Sequence, residues 1–368
     1  MFYKIKDIHP VTYISDTEIV IGKDRNFMSV LKDKDGFLKE FLTLLDGKKS
    51  VVEIFDILHP KFPLLRKEYL WDIINDLNNY GHIEQCLPKN NIIKNDRHLT
   101  NIHFFSNFSS MDNPSENILK ELQELKIGIV GLGGLGSNIL LQLAGLGINT
   151  IYIVDNDKVE YKNLNRQFLY KLSDIGEYKV NSAINNIKAF NDEISVKGFT
   201  KYINCVEDLF DVFPDDIDIL VCAADKPPIY IQLWCNLFSQ IRNIPLINGG
   251  LGCVTGQIWT SIPNQTPCLE CFYYDLLENN PIKKEILLDL ESRTITTAIG
   301  PYISLISNLI CTEIINYSLK RPLVSSGKKL SINYLTLEIT HEKEWIQNKN
   351  CMCKTKRFDS NKILIDHL

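Results

Sequence analysis

The sequence predicts an α/β fold, a doubly wound and mostly parallel sheet preceded by a small α+β unit. Three observations carry this expectation. First, the apolar run Ile127, Ile129, Val130 reads as a buried strand and ends in a turn built on Gly131, Gly133, Gly134 and Gly136. Ser137–Leu146 follows at helical spacing, and a second strand, Thr150–Val154, stops at Asp155. This is a Rossmann-like βαβ opening whose glycine turn aims at a helix N-terminus, where bare N–H groups and the helix dipole hold phosphate. Second, a later apolar run, ILVCAADK, again ends in an acid, Asp225. Third, the first 90 residues alternate short strand-like and helical stretches, with no run resembling the βαβ opening.

Within residues 1–90, Val11–Ile21 is strand-like and turns at Asp16. Phe37, Leu38, Phe41, Leu44 and Leu45 then recur at helical spacing until Asp46-Gly47 stops them. Ser50 caps the next helix and Glu53 completes a capping box. Pro60 and Pro63 break it. A third helix, Lys67–Tyr80, places Tyr69, Leu70, Ile73, Ile74 and Leu77 on one face and ends at Gly81. Small strands with three short helices predict a winged-helix-like unit. Residues 91–125 read as a polar linker followed by an amphipathic helix capped by Ser115. Residues 126–368 form the large α/β domain.

The chain has 368 residues, of which 45% are hydrophobic, enough for a sizeable core and more than one domain. A net charge of −5 gives no broad attraction to nucleic acid or to anionic membranes. The helix Lys67–Tyr80 carries Glu68, Asp72 and Asp76, a poor surface for a phosphate backbone. The start of the chain alternates charge and aromatic residues, so a cytoplasmic protein is expected. Ile127–Val154 and Ile295–Leu319 are apolar, but glycines interrupt the first, and Gly300-Pro301, Asn308 and Glu313 the second. Buried core is the better reading. Of the ten cysteines, Cys86, Cys205, Cys222, Cys235, Cys253 and Cys311 stand alone in apolar settings and read as core.

Taken alone, GLGGLG with Asp155 about 20 residues downstream fits a nicotinamide dinucleotide site as well as a triphosphate site. The residues after Asp155 decide between them. The chain continues Asp155, Asp157, Asn163, Arg166, Gln167 and Lys179, with Asp225 beyond. Arg166 can hold phosphate oxygens in a bidentate fork, Lys179 is a point charge, and Asp225 suits Mg²⁺, which takes one or two carboxylates plus phosphate oxygens. Hydride transfer needs no such array.

In this ordered set the chain resembles the ThiF/MoeB family of adenylyltransferases, relatives of the ubiquitin-activating enzymes, and within it the microcin C peptide adenylyltransferases. The resemblance covers most of residues 126–355. It implies that the glycine turn, Asp155, Asp157, Asn163, Arg166, Gln167 and Lys179 bind ATP, or CTP in its place. It further implies that Arg166, Lys179 and Asp225-bound Mg²⁺ act on the phosphates, and that Arg97, the remnant of an R-Y-x-R-Q motif, reaches the site of a homodimeric partner. Residues 1–90, through LLDGKKSVVEIFDIL and LNNYGHIE, resemble PqqD-like peptide-recognition elements, in which a leader peptide adds as a strand.

Cys268 and Cys271, with Cys351 and Cys353, form two close pairs that suit a structural Zn²⁺ closed by four thiolates. Residues 272–297 match the family's crossover loop, which covers the site and contacts the polypeptide being activated. The function implied is ATP-dependent activation of a carboxylate in a short ribosomal precursor peptide as an acyl-adenylate, in microcin C-like antibiotic maturation. Two alternatives stay open. One is activation of a ubiquitin-like sulfur carrier; the other is a non-catalytic leader-binding partner of a cyclodehydratase.

Overall fold

The computed structural model describes residues 1–23, 27–87, 96–279, 297–342 and 344–358. Contacts divide the chain into two compact units, Met1–Leu122 and Gln123–Leu368.

The first unit is the expected small α+β element. Its strands are β1 (Phe2–Ile5), β2 (Val11–Ser15), β3 (Glu18–Ile21), β4 (Ser29–Lys32), β5 (Asp46–Ser50) and β6 (Ile83–Gln85). They form two small sheets, ordered β5-β1-β6 and β2-β3-β4, beside helices Phe37–Leu44, Val51–Leu58 and Lys67–Asn79. Phe41, Ile54, Leu58, Leu70 and Ile74 are fully buried between them. The predicted capping box is present: the Ser50 hydroxyl accepts from the Glu53 amide, and the Glu53 carboxylate accepts from the Ser50 amide at 2.7 Å. Strand β5, of sequence DGKKS, has no apolar alternation to announce it. It forms because its backbone pairs with β1, and Gly47 at φ +75° allows the close pass, since a Cβ there would lie 2.3 Å from Cys86 Sγ. Part of the stretch read as a linker bonds into this unit: the Ser109 carbonyl accepts from Lys6 Nζ at 2.8 Å and the Ser110 carbonyl from the Gln85 amide at 3.1 Å. Ser115, expected as a cap, is instead the first residue of helix Ser115–Gln123.

The second unit is built on one eight-stranded sheet among the described residues, ordered β14-β13-β12-β11-β10-β7-β8-β9. These strands are β7 (Lys126–Val130), β8 (Thr150–Val154), β9 (Ser195–Phe199), β10 (Ile219–Cys222), β11 (Leu246–Leu251), β12 (Thr255–Ser261), β13 (Lys329–Asn333) and β14 (Ile339–His341). From β11 to β9 every pairing is parallel; β12, β13 and β14 extend the sheet antiparallel. Helices Gly134–Leu146, Lys179–Phe190, Val206–Val212 and Tyr230–Arg242 make the crossovers. The chain winds from β7 to β9, then returns to β10 on the other side of β7. The order therefore reverses between β7 and β10, and doubly wound sheets bind ligands beyond the strand C-termini at such a point.

Helix Gly300–Ser318 packs on the glycine-turn helix, with Ile303 against Gly134. Its buried Glu313 accepts from the Val324 and Ser325 amides, so the apolar stretch around it is core. Among the described residues no helix is long and apolar enough to cross a membrane. One cysteine departs from expectation: Cys253 is exposed in the β11–β12 connection, while Cys86 and Cys205 are half-buried and Cys222, Cys235 and Cys311 are core. Residues 272–279, expected in an open loop, continue helix Leu269–Asn279. The rest of that loop, 280–296, and Lys94-Asn95 ahead of Arg97 lie outside the described residues.

Candidate active site

Strand β7 delivers the chain to Gly131, which turns at φ +89° and donates its amide to the Val154 carbonyl at 2.9 Å. The four glycines are not equivalent. A Cβ on Gly131 would meet the Ala224 backbone at 2.9 Å, and one on Gly136 would meet the Gly131 carbonyl oxygen at 1.8 Å. At Gly134 it would press on the flexible tip of Ile303, and at Gly133 it would meet nothing within 4 Å. Gly131 and Gly136 thus permit the turn itself, whereas Gly133 leaves room above it. The helix that follows starts at Gly134, three residues before the sequence signal, and no side chain caps it. Its first N–H groups remain available to an anion.

Asp155 closes this turn from the end of β8. Its Oδ2 accepts from the Leu132 amide at 2.6 Å and its Oδ1 from the Asp157 amide at 2.7 Å. Each carboxylate oxygen keeps a lone pair for a ribose hydroxyl. Burial raises the Asp155 carboxyl above the usual carboxylate range, and the Lys179 charge offsets part of that rise. Lys179 is buried at the start of its helix and its Nζ lies 2.8 Å from Oδ2 of the exposed Asp157. Asn163 is buried and its Oδ1 accepts from the Glu160 amide at 2.9 Å. Arg166 is half-buried and donates from one nitrogen to the Lys162 carbonyl and to Asn165 Oδ1. Gln167 is buried with no protein partner for its Oε1.

Two residues that the sequence reading missed fasten these parts. Asn138 donates to the Gly134 carbonyl at 2.7 Å and to the Arg166 carbonyl at 3.0 Å, joining the helix start to the arginine loop. An asparagine on the buried face of a leucine-rich helix was the available signal. Buried Tyr170 donates its hydroxyl to the Leu132 carbonyl at 3.0 Å, and nothing in its local sequence marks it.

Asp225 follows β10 and is exposed. Its neighbour Ala224 lies against Gly131, so the acid stands beside the glycine turn at the point where strand order reverses. It also edges a cavity of about 190 Å³ lined by Gln257, Trp259 and Lys329, among others. One exposed carboxylate open to phosphate fits the coordination that Mg²⁺ prefers. Arg97 belongs to the other unit, exposed in the short turn Asp96–His98.

The four expected metal ligands meet: Cys268, Cys271, Cys351 and Cys353 are buried, with their sulfurs all within 4.8 Å of one another. The Cys268–Cys351 and Cys271–Cys353 sulfurs are 3.4 Å apart. Four sulfurs at about 2.3 Å from a tetrahedral Zn²⁺ would be roughly 3.8 Å from each other, so the cluster fits that ion after small adjustment. The Asn348 amide donates to Cys271 Sγ, a bond suited to a thiolate.

A family model described as "ThiF family" matches residues 105–355. The chain belongs to the ThiF family. The match spans the glycine turn, Asp155 to Lys179, Asp225 and all four cysteines. Among curated ThiF-like relatives, the Nedd8-activating enzyme E1 catalytic subunit of Drosophila melanogaster is 31% identical over 170 residues, covering 43% of this chain and 37% of that protein. The adenylyltransferase and sulfurtransferase UBA4 of Vanderwaltozyma polyspora is 34% identical over 153 residues, covering 42% and 34%. The chain thus spans well under half the length of these relatives. Solved structures match over nearly its whole length. The microcin C7 biosynthetic enzyme MccB in complex with N-formylated MccA superposes with a TM-score of 0.74 at 22% identity, covering 96% of this chain and 100% of that one. Escherichia coli MccB with ATP superposes at 0.72 and 22% identity, covering 94% and 98%. At this identity the likeness is one of fold.

Proposed function

We propose that the chain is an ATP-dependent adenylyltransferase that activates a carboxylate of a short ribosomally made precursor peptide. The observation that carries this reading is the setting of the Gly131 turn at the reversal of strand order: Asp155 accepts from the Leu132 amide, Lys179 pairs with Asp157 two residues beyond, and Ala224, next to Asp225, lies against Gly131. In support, MccB, whose fold covers both units of this chain, has been crystallised with ATP and with the peptide MccA.

In the proposed reaction a carboxylate oxygen of the peptide attacks the α-phosphorus. The new O–P bond forms as the bond to the β-phosphate oxygen breaks, giving acyl-adenylate and pyrophosphate. The uncapped helix start and Gly131 turn bind the triphosphate, and Asp155 orients the ribose. Lys179 and Arg166 offset charge on the departing pyrophosphate, a contribution made before the reaction and therefore without reorganisation. Mg²⁺ held by Asp225 would supply further charge neutralisation. Arg97 of a homodimeric partner reaches the same phosphates, and the first unit holds the peptide's leader. CTP can replace ATP only where the base contacts allow it.

Pyrophosphate exchange tests this with purified protein, ATP or CTP, and either short peptides or a ubiquitin-like carrier. Exchange dependent on a peptide supports the reading. Exchange with the carrier alone would move the function towards that of the Nedd8- and UBA4-type relatives, and no exchange with any combination would favour a leader-binding subunit.

A further inference from the structure

Two asparagines tie the loop that carries Arg166 to two helices, one beginning with the uncapped amides of the glycine turn and the other with Lys179. Asn138, about one turn into helix Gly134–Leu146 and 6% exposed, donates from Nδ2 to the Gly134 carbonyl and, at 3.0 Å, to the Arg166 carbonyl. Asn186, about two turns into helix Lys179–Phe190, donates from Nδ2 to the Leu169 carbonyl at 3.1 Å and to Asp174 Oδ2 at 2.7 Å. A carboxamide nitrogen has two N–H donors, and each asparagine gives one to a loop carbonyl. Arg166 and Leu169 are thereby fastened to different helices. A third helix packs on the same loop: a Cβ on Gly300 would meet the Phe168 ring at 2.5 Å and the Asn165 carbonyl oxygen at 3.2 Å. The Arg166 guanidinium travels with this loop, because its bonds to the Lys162 carbonyl and to Asn165 Oδ1 are made within it and from one nitrogen. Where its other N–H groups stand relative to the two helix starts is therefore set by the asparagines.

Resting on the adenylyltransferase reading, we infer that Asn138 and Asn186 are positioning residues that hold the Arg166 fork at the terminal phosphates, so that the site distinguishes a nucleoside triphosphate from a monophosphate. Neither asparagine touches the nucleotide. A fork that aligns two N–H groups with two phosphate oxygens is sensitive to displacements of about 1 Å, so its backbone has to be fixed in advance. Removing either asparagine's donors leaves the Gly131 turn and Asp155 as they are and loosens the arginine loop alone. A merely structural role would weaken triphosphate and monophosphate binding alike.

Calorimetry on the full chain with Mg²⁺ tests this, comparing ATP with AMP and CTP with CMP. The proteins are the parent, Asn138→Leu, Asn186→Leu, Arg166→Ala, and each leucine variant combined with Arg166→Ala. Leucine matches the branching of asparagine and removes its donors. In either leucine variant triphosphate affinity should fall about tenfold while monophosphate affinity stays within about twofold. Once Arg166 is alanine, neither leucine should weaken triphosphate binding further, because the asparagines act through the arginine. Binding stoichiometry reports the folded fraction, so a poorly folding Asn138→Leu still yields an affinity, and the half-buried Asn186 gives an independent measurement. Equal losses for both kinds of nucleotide, the same loss in the Arg166→Ala background as in the parent, or unchanged triphosphate affinity would overturn the inference and leave the adenylyltransferase reading standing. A parent protein that binds no nucleotide would strike that reading and the inference with it, so the two failures are distinguishable.

Discussion

A methyl group at Gly136 would sit 1.8 Å from the Gly131 carbonyl oxygen, a backbone atom that cannot swing away, whereas one at Gly133 meets nothing within 4 Å. Gly136→Ala should therefore destabilise the second unit by about 1–3 kcal/mol and weaken ATP binding, while Gly133→Ala leaves stability nearly unchanged. Urea unfolding with ATP titration of both variants measures this. Asp225 is exposed, so Asp225→Ala should cost little stability yet lower pyrophosphate exchange by on the order of 10²-fold or more. Near-normal exchange in that variant would remove the metal assignment. The glycines, Asp155 and the four cysteines were legible because their spacing states their chemistry. Asn138 and Tyr170 were not, because they act through contacts 28 and 38 positions away along the chain.

Elements follow the same division. Strands β7 and β8 are apolar runs bounded by glycine and aspartate and could be read directly. Strands β1 and β5 are short and partly polar, and β5 exists only through its ladder with β1. Beside them lies a buried titratable group: His82 Nδ1 is 3.1 Å from His9 Nδ1, His82 Nε2 is 2.6 Å from Ser29 Oγ, and Lys6 and Glu84 are buried in the same unit. Burial, with the charges of His9 and Lys6, lowers the His82 pKa to about 4. Its folded value is depressed below the ordinary 6.5, so between 6.5 and about 4 the unfolded chain binds the proton more readily. The stability of the first unit should be complete above pH 6.5 and fall as pH drops through that window, by on the order of 2–3 kcal/mol. Urea titrations at pH 7.5, 6 and 5 check this, and His82→Gln should flatten the slope.

Across the whole molecule, the doubly wound class was legible from the strand–helix–strand opening of β7 and β8 and from the apolar run of β10 that ends near an acid. The antiparallel strands β12 to β14 and their polar inner face were not, since Asn248, Trp259 and Lys329 meet only through sheet register. The cysteine cluster should hold one Zn²⁺ per chain by elemental analysis, and Cys351→Ser should lower the thermal midpoint by several degrees with parallel metal loss. That cluster also constrains how the protein is made. Cys268 and Cys351 meet across 83 positions, so a ribosome that has already delivered the entire parallel sheet still holds a polypeptide with two buried-site thiols and no counterparts. Closure waits for the tail, and until then β12 and helix Leu269–Asn279 lack their fastening. Vectorial synthesis thus delays completion of the antiparallel half of the sheet until after the parallel half has formed.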